Sequence, residues 1–199
     1  MTYQSRLGTK KMFEPASKTR ARYVPDYDQL KELVDAWKTV GHNIVLTSGA
    51  FDVLHIGHFQ YLEKARAHGD LLIVGVDSDE KIRKRKGPDR PIVAEKERVD
   101  MLRHLRHVDV VALKSVDDPR WQLIKLVKPN VLIVTQETYT PAEIKRLGKY
   151  CGKVVALEPQ ATTSTTAKIR RMQIGGAKKM ADLLAEKLQI ALDEIQQGK

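Results

Sequence analysis

Gly49-Ala-Phe-Asp-Val-Leu-His-Ile-Gly-His58 is the stretch that decides how this chain folds. Ahead of it lies the apolar run Ile44-Val45-Leu46, which has strand character. Behind it comes Phe59-Gln-Tyr-Leu-Glu-Lys-Ala-Arg66, which has helix character and is closed by Gly69. His55 and His58 therefore sit where a strand hands over to a helix. In a parallel sheet this is where a helix N-terminus is presented to a ligand. Unpaired backbone N–H groups and about half a positive charge gather there. Imidazoles on the first turn can donate to the same anion, while Gly49 and Gly57 let a ligand approach the backbone closely. The turn is suited to phosphate oxygens. Satisfied structural histidines are the plainer reading, and half of a zinc site is another. With a single cysteine and no third ligand at a suitable spacing, no protein-held metal is expected.

Four more apolar runs follow at intervals: Leu71–Val76, Val108–Leu113, Val131–Val134 and Val154–Leu157. Unbroken runs of this kind suit strands covered on both faces. Between them lie helical patterns at Ala94–Arg106, at Trp121–Val127 (stopped by Pro129) and at Ala142–Tyr150. Before the first strand, Asp26 reads as a cap with Gln29 three residues on, and Leu30, Leu33, Val34, Trp37 and Val40 share one helical face up to Gly41. Strand alternates with helix throughout. The expectation is an α/β fold: a five-stranded parallel sheet, right-handed crossovers, and helices on both faces. Asp77-Ser-Asp79 follows the Leu71–Val76 run at its C-terminal end, then comes the basic run Lys81–Lys86, and Gly87-Pro-Asp-Arg-Pro91 reads as a turn cluster. At the end, Met180, Leu184, Leu188, Ala191 and Ile195 form the stripe of a final helix that packs on the domain or on a second copy. The expected division is a basic arm at 1–25, one domain at 26–175 and a C-terminal helix at 176–199.

The 199 residues carry a formal charge of +10, which implies an anionic partner. Arg6, Lys10, Lys11, Lys18, Arg20 and Arg22 face only Glu14 in the N-terminal arm, which reads as a solvated segment. No apolar stretch approaches the roughly 20 residues of a spanning helix, and no signal-peptide core is present. With one cysteine, a reducing cytoplasm is the expected setting.

Phosphate chemistry also needs cations and donors away from the histidine turn. Lys86 ends a basic run whose other members, Lys81, Arg83 and Arg85, read as a solvated face. Arg98 precedes Leu102 and Leu105 by four and seven residues, so it shares their inward face. An inward arginine needs an anion, either a ligand phosphate or a carboxylate of the chain itself. Thr163-Ser-Thr-Thr-Ala-Lys-Ile169 clusters hydroxyls ahead of a helix, more of them than a cap requires. Asp52 and Asp79 stand at C-terminal strand ends, where ligands bind in open α/β sheets. Holding its own turn is the alternative task for Asp52.

Taken together, Gly49-x-Phe-Asp-x-x-His-x-Gly-His resembles the nucleotide-binding signature of the cytidylyltransferase-like nucleotidyltransferases, and Ser-Thr-Thr-x-x-Ile resembles their second signature. The likeness covers roughly residues 27–175. It implies a Rossmann-like fold and transfer of a nucleoside monophosphate from an NTP, with release of pyrophosphate and with Mg²⁺ riding on the phosphates. By this resemblance His55 and His58 are catalytic, with Lys86 beside them. Ser48, Gly49, Ala50, Phe51, Gly57, Arg98, Ser164, Thr165 and Thr166 bind the nucleotide, and Asp52 and Asp79 meet the acceptor. Gly75–Glu80, Lys86–Pro91 and Glu97-Arg98 resemble the heptose 1-phosphate adenylyltransferase branch more than the glycerol-3-phosphate cytidylyltransferase branch. Thr135-Gln-Glu-Thr-Tyr139 departs from the Lys-Gly-x-Asp-Tyr segment common in the family.

The expected activity is therefore AMP transfer from ATP to a phosphorylated sugar, with CTP and a polyol phosphate as the alternative pair. A homodimer is implied by the family, and no membrane partner is expected. No kinase-like segment is attached, so a stand-alone transferase is expected. An RNA-binding relative of class I aminoacyl-tRNA synthetases shares His-x-Gly-His. The absence of a Lys-Met-Ser-Lys-Ser segment weighs against that reading and against nucleic acid as a partner. A nucleotide sensor without turnover is disfavoured by the intact histidines and hydroxyl cluster.

Overall fold

The computed structural model describes residues 19–135, 139–158, 179–181 and 183–187. The chain divides into two compact units, 1–160 and 161–199. In the second, residues 179–181 and 183–187 are helical and exposed. Ser164, Thr165 and Thr166, the basic residues up to Lys18, and Leu188, Ala191 and Ile195 of the final stripe lie outside the described residues.

In the first unit the elements run α1 (Tyr27–Thr39), β1 (Ile44–Gly49), α2 (Ile56–Arg66), β2 (Leu71–Asp77), α3 (Asp79–Lys86), α4 (Glu95–Arg103), β3 (Val110–Lys114), α5 (Gln122–Val127), β4 (Val131–Thr135), α6 (Pro141–Leu147) and β5 (Lys153–Leu157). The five strands form one parallel sheet in the order β3-β2-β1-β4-β5. This is the expected α/β, Rossmann-like arrangement. α1 starts where its cap predicts, with Asp26 Oδ1 accepting from the Gln29 amide at 2.8 Å.

Successive strand residues point to opposite faces, and both faces are buried. On one, Ile44, Leu46, Ile73, Val110, Ala112, Leu132 and Val134 meet Leu30 and Val34 of α1, Leu123, Ile124 and Val127 of α5, and Leu147 of α6. On the other, Val45, Leu72, Val74, Val76, Val111 and Ile133 meet Leu62 and Ala65 of α2 and Val99 and Leu102 of α4. The strand order reverses between β1 and β4, which opens a crevice at their C-terminal ends. The histidine turn leaves the sheet at that point.

The edge beyond β3 is extended by residues 22–24. The Val24 amide donates to the Val111 carbonyl at 3.0 Å, and the Val111 amide donates to the Arg22 carbonyl at 2.7 Å. Helix α3 is an element the sequence did not announce. Seven of its eight residues, Asp-Glu-Lys-Ile-Arg-Lys-Arg-Lys, are charged, and Ile82 is its buried residue. It forms because Ser78 Oγ caps it by accepting from the Lys81 amide, with acids in its first turn and bases in its last. That charge order complements the helix dipole. Among the described residues no helix is long and apolar enough to cross a membrane.

Candidate active site

The histidine turn is built from its own backbone. His55 is the N-cap of α2, and its Nδ1 accepts from the Gly57 amide at 3.2 Å. His58 Nδ1 accepts from the His55 amide, also at 3.2 Å, completing a capping box in which two imidazoles replace the usual hydroxyl and carboxylate. A ring nitrogen that accepts carries no proton, so in both neutral imidazoles the N–H lies on Nε2. The rings lie 4.0 Å apart between centroids, tilted by 43°, and Phe51 flanks His58 at 5.8 Å. Two donors of the same kind are thus held together at one helix N-terminus. Gly57 is buried within that turn. A Cβ added at Gly49 would come within 3.2 Å of the Phe51 ring, so its smallness serves the packing of the turn itself.

Phe51 and Val53 both have a φ of +50°, an uncommon value for side chains of this size. Asp52 between them is 5% exposed and holds the strained turn to the loop before α4. Its Oδ2 accepts from Arg90 Nη1 at 2.6 Å, and its Oδ1 accepts from the Ile92 and Val93 amides, each at 3.0 Å. Burial pushes its pKa up, but those two amides and the guanidinium outweigh it and hold the carboxyl below its usual value. Of the two tasks read from sequence, the structure displays the turn-holding one.

Arg98 faces inward, as its spacing implies. Its side chain is fully buried, and its guanidinium bonds inward through all three nitrogens. Nε donates to the Val93 carbonyl at 2.9 Å, Nη1 to the Ala50 carbonyl at 2.5 Å, and Nη2 to Asp79 Oδ1 at 2.7 Å. The anion that this inward arginine meets is a carboxylate of the chain. Asp79, expected at the acceptor, is accordingly its partner, and the Asp79 amide donates to Glu95 at 2.8 Å. Ala50 enters through its carbonyl.

Lys86 stands differently. It is exposed at the end of α3, and among the described residues no hydrogen bond or ion pair engages its side chain. Partial desolvation, then the nearby Arg85 and Arg90, lower its pKa, while Asp52 and Asp77 pull the other way. A cation in that position is suited to an incoming anion.

A cavity of about 150 Å³ opens beside the C-terminal strand ends, lined by Ser48 of β1, Lys81 of α3, Lys114 of β3, Asp118, Arg120, Trp121 and Gln122 of the following loop and helix, and Tyr139. Its charges are anchored from below. Asp77, buried at the end of β2, accepts from Lys114 Nζ at 2.9 Å and pairs with Arg85 at 3.1 Å. Burial raises the Asp77 pKa, but Lys114 first and then Arg85 and Lys81 win, and it stays depressed. Tyr27 on α1 donates to Asp118 at 2.8 Å, and the guanidinium groups of Arg120 and Arg146 lie over the Trp121 ring, 4.9 and 5.3 Å from its centroid. Asp77, Lys114, Arg90 and Trp121 are functional candidates that the sequence reading missed. Asp77 and Lys114 close adjacent strands and are register partners, a pairing visible only once the strand order is known.

Residues 46–187 match the family model described as cytidylyltransferase-like. The bifunctional protein HldE of Geotalea uraniireducens is 39% identical over 160 residues, covering 78% of this chain and 32% of that protein. HldE of Caulobacter vibrioides is 40% identical over 153 residues, covering 75% of this chain and 31% of its own. The chain thus spans about a third of the length of these curated relatives. Among solved structures, a lipopolysaccharide core biosynthesis protein from Thermoplasma volcanium superposes with a TM-score of 0.52 at 28% identity, over 62% of this chain and all of that one. Pantoate-beta-alanine ligase from Francisella tularensis shares the fold, with a TM-score of 0.54 at 17% identity over 70% of this chain and 67% of its own. A histidine-capped helix at the switch point of this sheet, together with the match of residues 46–187, places the chain in the cytidylyltransferase-like family, the nucleotidyltransferase class that its sequence resembles.

Proposed function

We propose that the chain transfers AMP from ATP to a phosphorylated sugar of the heptose 1-phosphate kind and releases pyrophosphate. A phosphate oxygen of the acceptor attacks the α-phosphorus in line, the bond to the β-phosphate oxygen breaks, and pyrophosphate leaves with its electron pair. The nucleophile is already anionic, so no covalent enzyme intermediate and no strong base are needed. The protein's part is positioning and charge stabilisation. His55 and His58 donate through Nε2 to the α-phosphate as charge builds there. Lys86 neutralises the departing pyrophosphate. Ser164, Thr165 and Thr166 are given the β- and γ-phosphates on the strength of their sequence signature alone. Ser48, Gly49, Phe51 and Gly57 shape the turn that receives the nucleotide.

The cavity suits the acceptor. Lys81, Lys114 and Arg120 line it with positive charge for its phosphate, Lys114 shared with Asp77 and Arg120 with Glu143, while Trp121, Asp118, Gln122 and Tyr139 provide a flat apolar face and polar partners for a sugar. Asp52, Asp77 and Asp79 are each already bonded to cations of the chain, so Mg²⁺ is assigned to the nucleotide's own phosphates and water. A cytoplasmic setting accords with nucleotide substrates, and a homodimer is carried by the family resemblance.

The observation that carries this reading is the pair of backbone-fixed imidazoles whose Nε2 donors share one helix N-terminus. The T. volcanium protein is named for lipopolysaccharide core biosynthesis, which favours a sugar acceptor over a small polyol. The test is pyrophosphate release from each NTP with Mg²⁺ and a panel of sugar and polyol phosphates. Turnover with ATP and a sugar phosphate is expected. Turnover only with CTP and glycerol 3-phosphate would move the chain to the alternative pair. Salt-sensitive RNA binding without pyrophosphate from any pair would overturn the reading.

A further inference from the structure

Arg98 is a fully buried cation that the proposed chemistry does not use. We propose that it is a positioning residue: one guanidinium pins the histidine turn, the loop before α4 and the start of the lysine-bearing helix α3 to one another, and it does so without touching the nucleotide. The catalytic consequence rests on the nucleotidyl-transfer reading above; the structural part does not.

Three segments must stay in register for His55, His58 and Lys86 to meet one triphosphate. Arg98 bonds to each of them, at Ala50, Val93 and Asp79. The circuit is closed by other groups. Asp52, two residues beyond Ala50, grips the Ile92 and Val93 amides, so the turn and the loop are tied from both sides. Glu95 grips the Asp79 amide, so α4 holds the first residue of α3 twice. Lys86 ends the same helix, two turns on. The backbone carrying Phe51 and Val53 at positive φ lies inside this clamp, and such conformations persist only where their surroundings over-determine them. A planar fork with donors in fixed directions can serve three acceptors at once, whereas a lysine ammonium is a point charge on a flexible stem. With its side chain fully buried and every nitrogen donating to protein, Arg98 has no N–H left at the surface to be the phosphate contact expected from the sequence.

The test uses Arg98→Lys and Asp79→Asn in the full chain, reading steady-state kinetics and amide hydrogen exchange together. If Arg98 positions, both variants lose kcat by up to about 10²-fold, as misplacements near 1 Å do, with little change in KM for the NTP. Exchange speeds up at the Ile92 and Val93 amides in Arg98→Lys, and at the Asp79 and Ile82 amides in Asp79→Asn. The double variant is hardly worse than the poorer single, because both break one network. A raised KM for the NTP in Arg98→Lys, with unchanged exchange and wild-type behaviour in Asp79→Asn, would overturn the proposal in favour of a direct phosphate contact. If wild-type protein releases no pyrophosphate from any pair, the function reading fails, yet the exchange data still decide: unchanged rates overturn the clamp. If Arg98→Lys does not fold, Asp79→Asn carries the test, and unaltered exchange at Asp79 and Ile82 sinks it.

Discussion

Replacing Asp52 by asparagine removes one negative charge from a buried site and changes little else in volume. Asp52 is 5% exposed and its partner Arg90 is 17% exposed, so solvent cannot take over the lost interaction. The new side-chain amide either keeps its oxygen for the Ile92 and Val93 amides and turns its NH₂ toward Arg90, or gives Arg90 a neutral oxygen and turns its NH₂ toward those two amides. Breaking a buried pair from one side costs about 3–5 kcal/mol. For a chain of this size about 2–4 °C of melting temperature goes with each kcal/mol, so the loss at pH 7 should be roughly 6–20 °C. The pH dependence sharpens the test. The folded pKa of Asp52 lies below its ordinary value, so its contribution is complete above the unfolded value of about 3.9 and disappears as pH falls through the folded one. Melting curves of wild type and Asp52→Asn should therefore converge on acidification below about pH 4. Equal melting temperatures at pH 7, or a gap that stays constant down to about pH 2, would refute the account of this turn.

Three further outcomes are expected. His58→Asn places its side-chain oxygen where Nδ1 stood and so retains the cap on the His55 amide, but it deletes the Nε2 donor; turnover should fall by about 10²–10³ with little change in melting, and full activity would count against the imidazole's role. The kcat/KM profile should bend downward on the alkaline side before the ordinary lysine value of 10.5, because Lys86 loses its proton early, and Lys86→Arg should move that limb upward; an unmoved limb would remove Lys86 from the chemistry. A methyl group added by Gly75→Ala would come within 2.5 Å of Leu123, 2.6 Å of Ser48 Oγ and 2.9 Å of the Lys114 stem, so the floor of the cavity must shift. It should cost about 1–3 kcal/mol by denaturant unfolding and raise KM for the acceptor more than for the NTP, and an unchanged acceptor KM would exclude the cavity as the acceptor's place.

The fold was legible because its signals are local. Apolar runs mark strands, Asp26 and Gly41 bracket α1, and Pro129 stops α5, so each element declares itself within a few residues. Strand order is a long-range property, and everything resting on it stayed hidden. Asp77 and Lys114 are 37 residues apart and meet only because β2 and β3 are neighbours. Arg98 was correctly read as facing inward. Its partner stayed open between a ligand phosphate and a carboxylate of the chain, since that choice depends on where α3 begins. That helix was itself missed: seven charges in eight residues carry no apolar period, although acids first and bases last was a signal present in the sequence. The histidines were legible as a site because strand, glycine and helix frame them. That each ring also serves as a cap required the backbone geometry.

Arg22 and Val24 lie beside β3, upstream of the first long helix, in a segment whose composition suggested a loose polycationic tail. Their amide and carbonyl occupy the outward hydrogen-bonding positions of Val111. A shortened version beginning at residue 26 would uncover those positions and leave a raw strand margin of the kind that recruits foreign chains. Anyone trimming this protein for crystallisation should keep those residues, or expect it to come out of solution through that side of the sheet.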